Sequence, residues 1–223
     1  MKKKTFMATL ILILVLPFFA NSQESNLGNW LIYIGNKKIN SKWNIHTEVQ
    51  YRNYDAIGDL EQLLLRTGVG YNLSENNNNL LLGYGYILSE NYLENTDTDK
   101  VAVNEHRVFQ QFTTKQNIGA VKLSHRYRFE QRFVEEDFKM RLRYFLGVNI
   151  PLQYKKESFN PWYVSMYNEI FINTKPDVFD RNRMFAGLGY KVSNALRLEL
   201  GYMNQFFENS GRDQVNVIAF VNF

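Results

Sequence analysis

Residues Val121–Phe133 read VKLSHRYRFEQRF. Taken alternately, Val121, Leu123, His125, Tyr127, Phe129, Gln131 and Phe133 form one set that is mostly apolar or aromatic. The other set is Lys122, Ser124, Arg126, Arg128, Glu130 and Arg132, and every member is polar. Side chains on a strand point alternately to opposite faces, so this stretch predicts a strand with one apolar face and one densely charged face. Strands of globular proteins usually run about 5–6 residues. Alternation sustained over Val121–Phe133 is better matched to the ~9–11 residues a tilted strand needs to cross a bilayer.

The pattern recurs along the chain. Trp43–Tyr54 sets Trp43, Ile45, Thr47, Val49 and Tyr51 against Asn44, His46, Glu48, Gln50 and Arg52. Glu61–Leu73, Leu80–Leu88, Phe138–Ile150, Arg181–Val192 and Ala195–Gln205 behave alike, and the final strand runs to Phe223 with Val215, Val217, Ala219 and Val221 on one side. Asn29–Lys37, Asn104–Lys115 and Pro161–Asn173 alternate more weakly. Several outward rows carry an aromatic residue near an end, as the girdles of outer-membrane barrels do. Gly-X-Gly recurs on the inward rows at 68/70, 83/85 and 187/189, which fits close packing or bends in a barrel wall. Ser74–Asn79 and Ser193–Asn194 suit short periplasmic turns, and Glu90–Val103, the longest break, suits an extracellular loop. Bacterial single-chain barrels have even strand numbers. The eleven segments therefore predict ten or twelve strands, with the weak first segment left out or one strand split.

Residues 1–22 read as a signal peptide: Lys2, Lys3 and Lys4, the apolar run Phe6–Leu16, then small Ala20 and Ser22 before Gln23. The apolar run is short of the ~20 residues of a spanning helix. The expected mature domain is 23–223, and the lack of cysteine excludes a disulfide framework and a lipid-modified N-terminal cysteine. The chain carries 26 basic and 22 acidic residues; without the three signal lysines the balance is 23 to 22, which gives nucleic-acid binding little support.

With these strands in hand, the chain resembles a family of Bacteroidota outer-membrane proteins catalogued as domain of unknown function 2490. The residues that carry the resemblance are Trp43 with Gln50-Tyr51-Arg52, Asn104-Glu105-His106-Arg107, His125 to Arg132, Arg141-Leu142-Arg143-Tyr144 and Asn168-Glu169-Ile170-Phe171. The resemblance implies an outer-membrane barrel without an assigned activity. It also implies that terminal Phe223 is the signal read by the barrel-assembly machinery.

The inward rows collect Arg52, Arg66, Arg107, Arg126, Arg128, Arg132, Arg141, Arg143, Arg181, Arg183 and Arg197, facing Glu48, Glu105, Glu130, Glu169 and Glu199. Lys122, Lys139 and Lys191 add to the positive excess. Two readings of this lumen compete. Arg–Glu forks can cross-link a filled interior, because guanidinium and carboxylate pair bidentately and buried charge must be paired. Alternatively, unpaired arginines line a narrow path that prefers a small anionic solute, as basic rings do in anion pores.

Enzymatic readings are weaker. An outer-membrane lipid-modifying hydrolase would carry a nucleophile and base on one strand face, yet no His-x-Ser occurs. His46 and His106 read as members of a lumen or loop-proximal network, and His125 as a lipid-facing residue near the headgroups. Three scattered histidines without cysteine suggest no metal site, and the acids Asp97, Asp99 and Asp177 are not brought together by any motif. A soluble lipocalin-like barrel would place apolar residues inside and polar ones outside. The expectation is therefore an all-β, antiparallel, up-and-down transmembrane barrel in the outer membrane of a Gram-negative bacterium. It is non-enzymatic, without cofactor or metal, and its partners are outer-membrane lipid and the assembly machinery.

Overall fold

The structure, a computed structural model, describes residues 27–55, 58–74, 77–93, 98–152, 160–174 and 178–223. The expected signal peptide, Asp97 and Asp177 lie outside the described residues. Eleven strands follow in order: β1 (Gly28–Lys38), β2 (Trp43–Asn53), β3 (Leu60–Asn72), β4 (Asn78–Tyr92), β5 (Lys100–Ile118) and β6 (Val121–Val134). Then come β7 (Asp137–Pro151), β8 (Trp162–Asn173), β9 (Phe179–Lys191), β10 (Leu196–Phe206) and β11 (Gly211–Asn222). Each pairs with its neighbours in sequence, and β11 returns to β1 to close a barrel.

The expectation of ten or twelve strands is corrected to eleven. In an up-and-down meander an odd count leaves the first and last strands running the same way. The seam is accordingly parallel, with Trp30 opposite Asn216 and Ile34 opposite Phe220, whereas every other pairing is antiparallel. The weak first segment is a full wall strand. Its alternation was hidden because it is apolar on both faces: Leu31 is exposed outside while Trp30 and Ile32 are buried inside.

Two rims result. The C-terminal rim carries Phe223 and the turns at 39–42, 73–77, 119–120 and 192–195; the opposite, N-terminal rim carries Gly28 and the connections at 54–59, 93–99 and 135–136. The break expected at Glu90–Val103 is shorter than its polar composition suggested. The β4–β5 ladder continues through Asn91 opposite Val101 and Tyr92 opposite Lys100, leaving only 93–99 as connection. The longest connection is instead 152–161, on the C-terminal rim.

The two faces are chemically inverted relative to a water-soluble protein. Leu82, Leu188 and Leu200 are 60, 50 and 58 % exposed on the outer face, whereas Glu130 on the inner face is 0 % exposed. Outward aromatic pairs stand toward both rims: Trp43 with Tyr71 and Trp162 with Tyr190 near the C-terminal rim, Phe133 with Phe138 near the other. The inner face is not purely polar. Trp30, Ile32, Phe185, Met203 and Ile218 form a buried cluster inside the barrel. Glycines make room for these rings. Gly83 lies opposite Phe109, and Gly189 opposite Tyr163, and a Cβ on either glycine would overlap the facing ring.

Candidate functional site

Because the strand period is two, residues of one parity on each strand converge on the lumen. Glu48, Arg52, Arg66, Glu105, Arg107, Arg128, Glu130, Arg141, Arg143, Glu169, Arg183 and Glu199 are all buried there. Arg126, Arg132, Arg181 and Arg197 line the lumen cavities. Cross-strand register sets the pairs. Glu48 stands opposite Arg66 and accepts from its Nη1 at 2.6 Å. Glu130 stands opposite Arg141, accepting from its Nε and Nη2 at 3.0 and 2.7 Å, and from Arg143 Nη1 at 2.6 Å. Glu169 accepts from Arg143 Nη2 and Arg126 Nη2, each at 2.7 Å.

Register also places like charges face to face. Arg107 is opposite Arg132, and Arg128 is opposite Arg143. Such pairs are destabilising unless bridged. Glu105 bridges the first, taking two hydrogen bonds from each guanidinium at 2.5–3.0 Å. Gln111 relieves the second by accepting from Arg128 at 2.9 and 2.6 Å. Aromatic faces supply further compensation, since a ring quadrupole attracts a guanidinium. Arg128 lies 4.4 Å over Phe109, Arg143 4.4 Å over Phe171 and Arg126 4.5 Å over Phe145.

Among the described residues ten arginines form ion pairs, shared among seven carboxylates. Arg52 and Arg183 form none. Arg52 is held by the neutral amides of Gln50 and Gln62 and lies 3.6 Å over the Trp30 ring. Arg183 donates from Nε to Gln205 at 2.8 Å and lies 4.8 Å over the same ring.

Two cavities flank this layer. One of about 200 Å³ lies toward the N-terminal rim, and one of about 710 Å³ opens toward the C-terminal rim. Arg66, Arg143 and Arg183 line both and form the partition between them. Arg197 and Glu199 stand apart from the central network: they approach each other at 3.7 Å, and Glu199 accepts from Tyr163 and Ser165 at 2.7 and 2.9 Å. Lys139, expected in the lumen, is half-exposed beside Asp137 close to the N-terminal rim.

The sequence reading missed several members. Asp180 reaches Arg141 at 2.6 Å because a bulge after Phe171 shifts the register of β8 against β9. The glutamine acceptors and the inward aromatics were visible as alternating residues but carried no charge to single them out. Among the histidines, His46 lines the larger cavity and meets Glu48 at 3.4 Å. His106 is not a lumen residue: it is exposed on the outer face, bonded to the Tyr84 hydroxyl at 2.5 Å. β5 alternates regularly here, but its outer row carries polar Gln110 as well as His106, so polarity alone did not fix the face. His125 also faces outward and meets the Tyr144 hydroxyl at 2.9 Å, while Ser124 points to the larger cavity. Among the described residues no three His, Asp or Glu side chains converge as metal ligands.

The comparisons with known proteins assign no role. The chain is 32 % identical over 166 residues to an uncharacterized protein of Methylorubrum extorquens, covering 71 % of this chain and 69 % of that one. No solved structure matches it. The model of a family described as protein of unknown function DUF2490 matches residues 27–216, and the chain belongs to that family.

Proposed function

We propose that this protein is a non-enzymatic β-barrel of the outer membrane of a Gram-negative bacterium, with its lumen closed by the Arg–Glu–aromatic layer. The observation that carries this reading is the inversion of faces. Exposed aliphatic and aromatic side chains encircle the barrel, while Glu130 is fully buried inside. In water so broad an apolar surface is an association hazard, whereas in a bilayer it is the lipid-facing band. The same inversion runs against a lipocalin-like carrier, whose cavity would be apolar. A cleaved signal over 1–22, insertion by the assembly machinery through Phe223, and a Bacteroidota origin rest on the sequence and its resemblance.

Closure of the lumen is supported by the filling of its centre. Phe109, Glu130, Met203, Gln214 and Asn216 are each 0 % exposed. The arginine excess favours a second reading, a narrow anion-preferring path that opens when the network rearranges. On that reading Arg126→Glu shifts ion preference toward cations. Membrane fractionation with a gel-mobility assay before and after boiling tests the proposal. It predicts recovery in the outer-membrane fraction with heat-modifiable mobility; a protein found in the soluble periplasmic fraction would contradict it.

A further inference from the structure

The smaller lumen cavity is lined by eight arginines and a single carboxylate, Glu105. That carboxylate is already shared by Arg107 and Arg132. Arg183 is buried, pairs with no carboxylate, and among the described residues its only side-chain donation is from Nε to Gln205. Its two terminal nitrogens carry no side-chain hydrogen bond among the described residues, and the residue lines this cavity as part of the partition from the larger one. Arg52, equally buried and unpaired, lines the same space from β2. Buried guanidinium charge without a counter-charge is costly, and guanidinium forks match pairs of oxygens on phosphate-like groups.

We propose that this cavity binds a small tetrahedral oxyanion of the phosphate class, carried either as free phosphate or as the phosphoryl group of a membrane lipid. Forks approach from β2, β3, β5 and β9, so a ligand presenting oxygens in three dimensions fits better than a planar carboxylate. A space of about 200 Å³ corresponds to roughly seven waters at ~30 Å³ each, enough for one oxyanion with a few waters. The inference goes beyond the membrane assignment and does not depend on it, because the site is enclosed by the barrel wall itself.

The test uses the full refolded chain in detergent, titrated with inorganic phosphate and with sulfate at constant ionic strength against a chloride control. Phosphorus-31 line broadening and calorimetry give the binding signal. The expected result is saturable one-site phosphate binding, competed by sulfate and not by chloride. It should weaken about tenfold or more in Arg183→Gln, as for loss of a charge-assisted bond, and remain unchanged in Arg197→Gln, which lies at the other cavity. Should Arg183→Gln fail to fold, Arg181→Gln at the rim of the same cavity is expected to weaken binding. Protein purified from membranes and carrying tightly held phosphorus that extracts into organic solvent identifies the lipid source; water-soluble phosphorus identifies free phosphate. Absence of both retained phosphorus and phosphate binding, or a phosphate response equal to chloride, overturns the proposal.

Discussion

Arg107 and Arg132 stand directly across from each other on β5 and β6, and one carboxylate, Glu105, holds both by paired hydrogen bonds. Two like charges face to face in a buried wall are tolerable only because a third group sits between them. The lumen repeats this logic: Glu130 serves Arg141 and Arg143 from opposite oxygens. Removing a bridging carboxylate therefore exposes more than one unpaired cation.

Glu105→Gln should destabilise the barrel by about 3–5 kcal/mol, the cost typical of breaking a buried ion pair from one side. Arg132→Gln should cost less, since Glu105 keeps Arg107. Urea unfolding of the refolded protein in lipid vesicles, followed by tryptophan fluorescence, measures both. A Glu105→Gln loss smaller than that of Arg132→Gln would show that Glu105 is not the bridge.

Gly83→Val places a branched side chain where the tip of the Phe109 ring meets the strand. The expected cost is about 1–3 kcal/mol from overpacking, recovered in part by Phe109→Leu in the same chain. A double variant no more stable than Gly83→Val alone would argue against the ring-on-glycine contact.

Leu200 sits in the middle of the outer belt, flanked by Leu188 on β9 and Val217 on β11. In a bilayer Leu200→Arg should cost about 2–4 kcal/mol, the penalty for arginine on the lipid face near the midplane. On a barrel surrounded by water the same change should lie within about 0.5 kcal/mol of zero. Unfolding measured in vesicles separates the two.

At the N-terminal rim, Asp59 accepts from Lys100 Nζ and from the Tyr92 hydroxyl, clamping the projecting β4–β5 hairpin. Partial burial works against ionisation of this carboxyl, but donation by Lys100 and Tyr92 outweighs it and holds the group below its ordinary range. A lowered folded-state value means the clamp's contribution is complete at neutral pH and is lost as pH falls through that value. Corrected for the intrinsic pH dependence of amide exchange, hydrogen exchange in 89–93 and 98–103 should therefore be unchanged at pH 5 and accelerate only below about pH 4. Asp59→Asn should produce the acceleration at neutral pH. Exchange that already rises between pH 7 and 5 would place control in another group.

Most of the wall was legible because alternation is a direct imprint of a two-sided environment. Val121–Phe133 and Trp43–Tyr54 announce their lumen and outer faces residue by residue. What escaped follows from the same rule. The first strand packs Trp30 and Ile32 into an apolar patch of the lumen, so both its faces are apolar and its parity vanishes. The even count came from the rule that bacterial single-chain barrels have even strand numbers, set against eleven segments, and the parallel seam with β11 could not be foreseen from local pattern. His106, read as a lumen or loop-proximal residue, stands on the outer face, and its parity was not fixed by pattern because its strand carries polar residues on both faces. The charge network itself was readable as a set of residues. Its pairing was not, since which glutamate bridges which arginines depends on cross-strand register and on the bulge that brings in Asp180.

On the proposed reading a lipid-embedded barrel is shut by its own lumen side chains. Single-channel conductance of the refolded protein in a planar bilayer tests this most directly, once the heat-modifiable gel shift has shown that the barrel is folded. The closed lumen predicts a silent membrane with the wild-type chain. Steady, anion-selective steps from folded wild-type protein would contradict it and establish the arginine-lined path as open.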